Sequence, residues 1–242
     1  MTFELGLFAV AVMAGGVASI TGFGIGSLVT PVLMLRLPPD LAIAMVGIPH
    51  VAATALRWIR LRPHTDWQVL RSFGLASAVG GLLGALLQSV LRFDLIAVVF
   101  GGLLVLSGIT ALTGWLERIR VTRPLALAEG LLSGVFGGLA GNQGGIRSAA
   151  LLAYPLEPQS FVATATASAL LVDAARVPVY LVMQGEMIWQ HGSWMGIATT
   201  GVVLGTLLGT PVLRRIPVRA FRRGVAVSVL VLGVWILARA LG

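Results

Sequence analysis

Arg147, Asp173 and Arg176 are ionisable side chains set inside long apolar runs of a 242-residue chain. An Arg at bilayer depth costs roughly 2.5 to 3.5 kcal/mol on an insertion scale, so Arg147 must face a partner or a cavity. An anionic substrate is one such partner; Glu129 or Asp173, as an internal ion pair, is another. Asp173 and Arg176 lie three residues apart, share a helical face and can neutralise each other. Thr166 falls on about the same face, seven residues earlier. These three residues suit an internal ion pair, or a coupling or proton-relay site. His50, beside Pro49, can titrate near neutral pH or donate to a substrate oxygen. His-Glu-x-x-His, Gly-x-Ser-x-Gly and P-loop motifs are absent from the sequence, so zinc protease, serine hydrolase and ATP-driven pump lose support. No enzyme, metal or cofactor is expected. An embedded enzyme would gain support only from Asp173 and His50 standing adjacent in a polar cavity.

Two glycine-rich segments complete the chemistry. Gly22, Gly24 and Gly26 precede a helix starting near Ser27, and Gly141, Asn142, Gln143, Gly144 and Gly145 precede one carrying Arg147 and Ser148. Unwound backbone inside a membrane must face protein or a water-filled cavity, and paired broken helices point to a transport site. A helix N-terminus with free N–H groups favours an anion. The substrate-binding set read from the sequence is therefore Gly22, Gly24, Gly26, Ser27, His50, Gly141, Asn142, Gln143, Gly145 and Arg147. Thr166, Asp173 and Arg176 are read as coupling residues. Close helix packing is the competing reading of the glycines. It is the favoured one for Gly80 and Gly84, and for Gly201, Gly205 and Gly209, which form small-xxx-small faces.

The elements that must hold these residues are membrane helices. The chain is 57% hydrophobic and 11% charged, with a mean hydropathy of +0.95, far outside the soluble globular range. Its basic residues are all Arg and its net charge is +8, arising from clusters beside apolar segments that set orientation. No soluble basic module for nucleic acid is present. The absence of Cys excludes disulfides, thiolate metal sites and thiol relays.

The run from Phe3 to Leu35 would be about 50 Å long as one helix and must break, most naturally over Thr21 to Gly26. A turn at Leu37 to Asp40 follows, then a stretch from Leu41 to Ile59 in which Pro49 predicts a kink or a further break. Helices over Val69–Val90 and Leu95–Trp115 follow. After a polar connection, the pattern repeats at a constant offset: a segment from Leu125, the break at Gly141 to Gly145, a turn at Pro155 to Pro158, and a run from Gln159 to Met183. A loop holding Glu186 and His191 comes next, then helices over Ser193–Leu213 and Ala220–Ala240. The expected fold is an all-α polytopic membrane protein with two inverted repeats, residues 1–114 and 125–242, joined by a basic cytoplasmic linker, 115–124. The broken or re-entrant helices would meet near the midplane.

Orientation follows from the Arg clusters. With the loops around Arg60 and Arg219 and the linker around Arg120 all cytoplasmic, the less basic loop around Glu186 lies outside. Each half then crosses an odd number of times, as three crossings plus a re-entrant hairpin or as five, with both termini outside.

The residues also look familiar. Gly22, Phe23, Gly24, Ile25 and Gly26 with Pro31, then Leu37, Pro38, Pro39 and an Ala-rich helix, followed by a second copy from Ser133 through Thr166 and Asp173, resemble the TauE/SafE sulfite exporter family of bacterial permeases. The resemblance runs from about Gly15 to the last helix. It implies a multi-pass inner-membrane secondary transporter for small organosulfur or related anions, such as sulfite, sulfoacetate or thiosulfate-like compounds. This chain departs from the family's usual glycine run at the second break, where Asn142 and Gln143 interpose amides and Arg147 follows. A Cys-dependent relay of the kind proposed for thiosulfate-type relatives cannot operate here. The expected function is alternating-access transport of such an anion, the alternative being a passive anion or small-solute channel. The expected partners are the anion and the lipid bilayer, with proton coupling and a homodimer left open.

The chain is a ready background for single-Cys labelling in intact cells. An impermeant thiol reagent is expected to reach a Cys at Gln190 and not one at Ile216. The reverse pattern would overturn the inverted arrangement.

Overall fold

A computed structural model describes residues 2–22, 24–114, 123–142, 144–151, 154–213 and 218–242. The described residues are almost entirely helical. In chain order they form α1 (Thr2–Thr21), α2 (Ile25–Leu33), α3 (Pro39–Leu61), α4 (Trp67–Val69), α5 (Leu75–Gln88), α6 (Phe93–Thr113), α7 (Arg123–Ala140), α8 (Gly144–Leu151), α9 (Pro158–Gln190), α10 (Gly192–Leu213) and α11 (Val218–Leu241). A π-helical turn over Leu70–Gly74 joins α4 to α5, so that Trp67–Gln88 is one span. Six helices are long and apolar enough to cross a membrane, and two shorter apolar stretches, Leu127–Ala140 and Ala226–Leu241, accompany them.

The chain breaks where the glycines predict. Gly22 has φ +83° and Gly24 φ +120° at the first break, and Gly141 has φ +69° at the second, conformations that residues with a Cβ adopt only under strain. The short helices that follow, nine residues in α2 and eight in α8, would reach only about 12 to 14 Å and cannot cross a bilayer core. Each is the return arm of a hairpin. The first hairpin opens and closes at one level, since the Arg36 guanidinium lies 5.7 Å over the Phe3 ring.

Two expected features are corrected. Of the kink or break expected at Pro49, the break does not occur, for α3 runs unbroken past it, and Pro178 is likewise carried inside α9. Membrane helices tolerate proline because packed neighbours and local adjustment satisfy the freed carbonyl. Glu186 lies not in a loop but in the last turns of α9, which continues to Gln190. At 33 residues that helix is about 50 Å long and extends beyond the hydrocarbon core, where a carboxylate is no burden. Helix boundaries elsewhere shift by a few residues from those the sequence predicts. Thus α7 begins at Arg123, and an Asp66 N-cap, accepting from the Gln68 and Val69 amides at 3.0 and 2.9 Å, starts the Trp67 span. Residues 115–122 and 214–217 lie outside the described residues.

Packing is reciprocal between the halves. α1 pairs with α10, α5 with α7, α6 with α11, and α3 with α9. Gly201 faces Phe8 and Val12, Gly205 faces Val12 and Gly16, and Gly209 faces Gly16 and Ser19, so α1 and α10 run parallel. Gly80 faces Leu131 and Val135 and Gly84 faces Val135 and Leu139, so α5 and α7 are parallel too. Gly101 faces Gly233 and Leu237 while Gly108 faces Ala226 and Leu230, which makes α6 and α11 antiparallel. The α3–α9 pair is antiparallel as well: His50 meets Asp173 and Gly47 faces Val177 and Tyr180. Small residues let these backbones touch, as membrane helices require in the absence of a hydrophobic drive between them.

An Ala Cβ at Gly80 would strike the Leu131 carbonyl oxygen, whereas at Gly102 it would meet nothing within 4 Å. Gly80→Ala is therefore expected to destabilise by about 1–3 kcal/mol, the usual cost of overpacking, and Gly102→Ala to be neutral. Thermal unfolding in detergent reads both; equal melting of Gly80→Ala and wild type would show that the helices are not in contact.

Candidate functional site

The two breaks come together at the centre of the pairings. A Cβ at Gly26 would lie 2.5 Å from the Gly141 carbonyl oxygen, and one at Gly141 would lie 3.3 Å from Arg176 Nη1. A helix that ends inside a membrane leaves its last carbonyls without intrahelical partners, and there is no bulk water to take them. Side chains from the third helix of each half do so. Arg57 of α3 donates through Nη1 to the Ala18 carbonyl at the end of α1. Arg176 of α9 donates through Nη1 to the Gly137 carbonyl of α7 at 2.7 Å. The sequence separation is 39 residues in both cases. A cation at this end of a helix also meets the negative pole of the macrodipole.

Further side chains hold the second break. Tyr180 donates its hydroxyl to the Gly138 carbonyl, and Gln88 of α5 donates to the Leu139 carbonyl at 3.0 Å. Three successive carbonyls of the α7 terminus are thus satisfied by side chains. Arg176 itself is paired: its Nε lies 2.9 Å from Asp173 Oδ1, and its Nη2 lies 2.9 Å from the same oxygen. The other carboxylate oxygen, Oδ2, is 2.6 Å from His50 Nδ1. His50 comes from α3 and Asp173 from α9, so this contact ties the two halves together.

Arg147 differs from every other charge in the site. It lies in α8 with 3% of its surface exposed, and its Nε and Nη1 are buried without a hydrogen-bond partner among the described residues. It feels the charges of Asp173 and Arg176 but forms no ion pair with Asp173 or Glu129 among the described residues. Being four residues into a short helix, it also sits near the positive pole of the helix dipole, where a cation is disfavoured and an anion favoured.

Ser27 is buried on α2, Gly145 is in the first turn of α8, and Gln143 lies outside the described residues. Asn142 is buried, with its amide nitrogen 3.4 Å from Ser107 Oγ on α6. Thr166 donates its hydroxyl to the Val162 carbonyl of its own helix, at 2.7 Å. Arg57, Tyr180 and Gln88 are residues of the site that sequence reasoning did not assign to it. For Arg57 there was a signal, its match to Arg176 across the repeat. A pocket of about 500 Å³ lies elsewhere, at the α2–α3 turn between the start of α6 and the end of α11, lined by Arg36, Asp94, Trp235 and Arg239. None of the buried charges lines it. Among the described residues no cluster of His, Asp and Glu could hold a metal.

Removing one partner of a buried ion pair strands the other, at a cost of about 3–5 kcal/mol. Asp173→Ala and Arg176→Ala are each expected to lower stability by that order. The double variant should cost less than the two combined, because the pair is removed together. Additive losses in a double-mutant thermal-unfolding cycle would show that the two side chains do not interact.

A family model described as Sulfite exporter TauE/SafE matches residues 7–236 of the chain. No curated protein and no solved structure matches it.

Proposed function

The chain belongs to the sulfite exporter TauE/SafE family, a family of membrane permeases, and on that premise we propose that it moves a small oxyanion or sulfonate, such as sulfite or sulfoacetate, by alternating access. It is a multi-pass membrane protein; the bacterial inner membrane, with both termini outside, is the proposed setting. The observation that carries the reading is Arg147, a guanidinium almost wholly buried with two unpartnered nitrogens. A buried charge of this kind is costly unless something neutralises it, and at a helix N-terminal turn between two broken helices the natural neutraliser is an anion.

In this reading the anion enters between the breaks, Arg147 neutralises it, and backbone N–H groups of α8 with the Asn142 amide orient it. The His50–Asp173–Arg176 chain is the coupling element, since a proton on His50 changes how Asp173 divides its charge between α3 and α9. The reciprocal packing supports inverted repeats. If α6 and α11 are counterparts, their antiparallel contact, together with the parallel α1–α10 and α5–α7 contacts, reverses each helix of one half relative to its match. With α2 and α8 too short to cross, each half would make three crossings plus a hairpin. The hairpins would open to opposite sides, as alternating access needs.

His50 beside Asp173 is also what an embedded hydrolase would require. That reading still lacks its third member, since no hydroxyl among the described residues is seen bonding to the imidazole as a nucleophile would.

The site and the stability of the protein should pull in opposite directions. Replacing Arg147 by Met removes an unpaired buried charge and keeps the volume, so Arg147→Met is expected to melt higher than wild type without ligand. The same variant should lose the thermal shift that sulfite or sulfoacetate gives the wild type. In proteoliposomes its transport should fall at least about tenfold. Normal transport by this variant would remove Arg147 from the site, and a wild-type protein that moves no sulfur oxyanion under any proton gradient would remove the function.

A further inference from the structure

The two halves cap their broken helices alike but neutralise the capping Arg differently. Arg176 holds the α7 terminus and carries Asp173 on its Nε. Arg57 holds the α1 terminus with the same 39-residue spacing, yet the position three residues before it is Thr54, not an acid. Arg57 is 7% exposed, and its Nε is buried without a partner among the described residues. The Thr54 hydroxyl, fully buried, is also unpartnered.

Asp173 is a fully buried carboxylate of α9. It is hydrogen-bonded to Arg176 and His50, and among the described residues neither Arg57 nor Arg147 has a carboxylate partner. Arg57 holds the end of α1 before the first break and Arg147 follows the second, and the breaks meet at Gly26 and Gly141, so two like charges flank one contact. Two buried guanidiniums that repel each other, both with free N–H groups, have one simple resolution: an acceptor-rich ligand with two negative charges between them.

We propose that Arg57 is a second substrate-binding residue, facing Arg147 across the breaks, and that the pair selects a dianion over a monoanion of the same size. This rests on the reading of Arg147 as an anion site and adds to it the charge of the ligand and the residue from the first half that senses it. Arg57 then has two tasks, one nitrogen holding α1 in place and another meeting the anion. Substrate arrival is thereby reported to the end of the broken helix.

The test installs the second half's solution in the first. Thr54→Asp places a carboxylate three residues before Arg57, as Asp173 stands before Arg176, without touching the α1 cap. Purified protein in detergent is titrated with sulfoacetate, a dianion at neutral pH, and with ethanesulfonate, a monoanion of similar size, at constant ionic strength. The wild type is expected to bind sulfoacetate about tenfold tighter or more. Thr54→Asp should lose about tenfold for sulfoacetate and less than about threefold for ethanesulfonate, erasing the preference. Thr54→Asn, neutral and of the same size as Asp, should keep it, which separates charge from packing. Melting curves without ligand check that each variant is folded, and Arg57→Lys, which keeps the charge, should retain the preference if Thr54→Asp is misfolded. Equal weakening of both ligands by Thr54→Asp, no weakening of either, or a wild type that does not distinguish them overturns the proposal while leaving Arg147 as an anion site. A folded wild type that binds neither ligand overturns that underlying reading and this proposal with it.

Discussion

A helix that stops inside a bilayer leaves carbonyl groups that nothing in the lipid can satisfy, and the architecture of this protein follows from how that is solved twice. Arg57 reaches the Ala18 carbonyl and Arg176 the Gly137 carbonyl. For either contact to form, the third helix of each half must pass close to the end of the first, which fixes where α3 and α9 lie. Their antiparallel packing, and the meeting of Gly26 with Gly141, then follow. The glycines elsewhere serve the same end by letting α1 seat against α10 and α5 against α7 at backbone contact.

The two solutions are unequal, and the inequality is where function enters. The α7 terminus is closed by three side chains and its Arg is neutralised by Asp173. At the α1 terminus the capping Arg57 is unaccompanied by a carboxylate among the described residues. Arg147 adds another uncompensated charge from α8. A protein selected for stability alone would not keep two such groups, because an apolar side chain of equal volume would do better. Their retention is intelligible if the missing charge arrives with the substrate.

Much of this was legible in the chain before folding. The breaks were visible because an apolar segment longer than a bilayer must interrupt its helix, and a run of glycines is where the interruption costs least. Arg147, Asp173 and Arg176 stood out because ionisable residues at that depth are rare and costly, and the Asp173–Arg176 contact followed from helical spacing alone. The errors lay where local signals are weakest. Of the kink or break that Pro49 predicts, α3 excludes the break, and Glu186, expected in a loop, lies in an overlong α9. Both are decided by what packs around a helix, which local sequence does not state. The His50–Asp173 contact spans 123 residues, and no periodicity could have joined those two positions.

What the sequence determined by itself was the kind of object: a polytopic helical membrane protein, broken at two runs of glycine, with ionisable residues set inside its apolar segments. Hydrophobic length, glycine spacing and Arg placement are properties of short segments, and the bilayer reads them segment by segment. Only the tertiary structure decided which carbonyls Arg57 and Arg176 satisfy, which helix pairs run parallel, and which two guanidiniums have no carboxylate among the described residues. Those outcomes depend on distances between residues far apart in the chain. In a low-dielectric interior such distances, more than residue identity, settle whether a buried charge is a strut or a binding group.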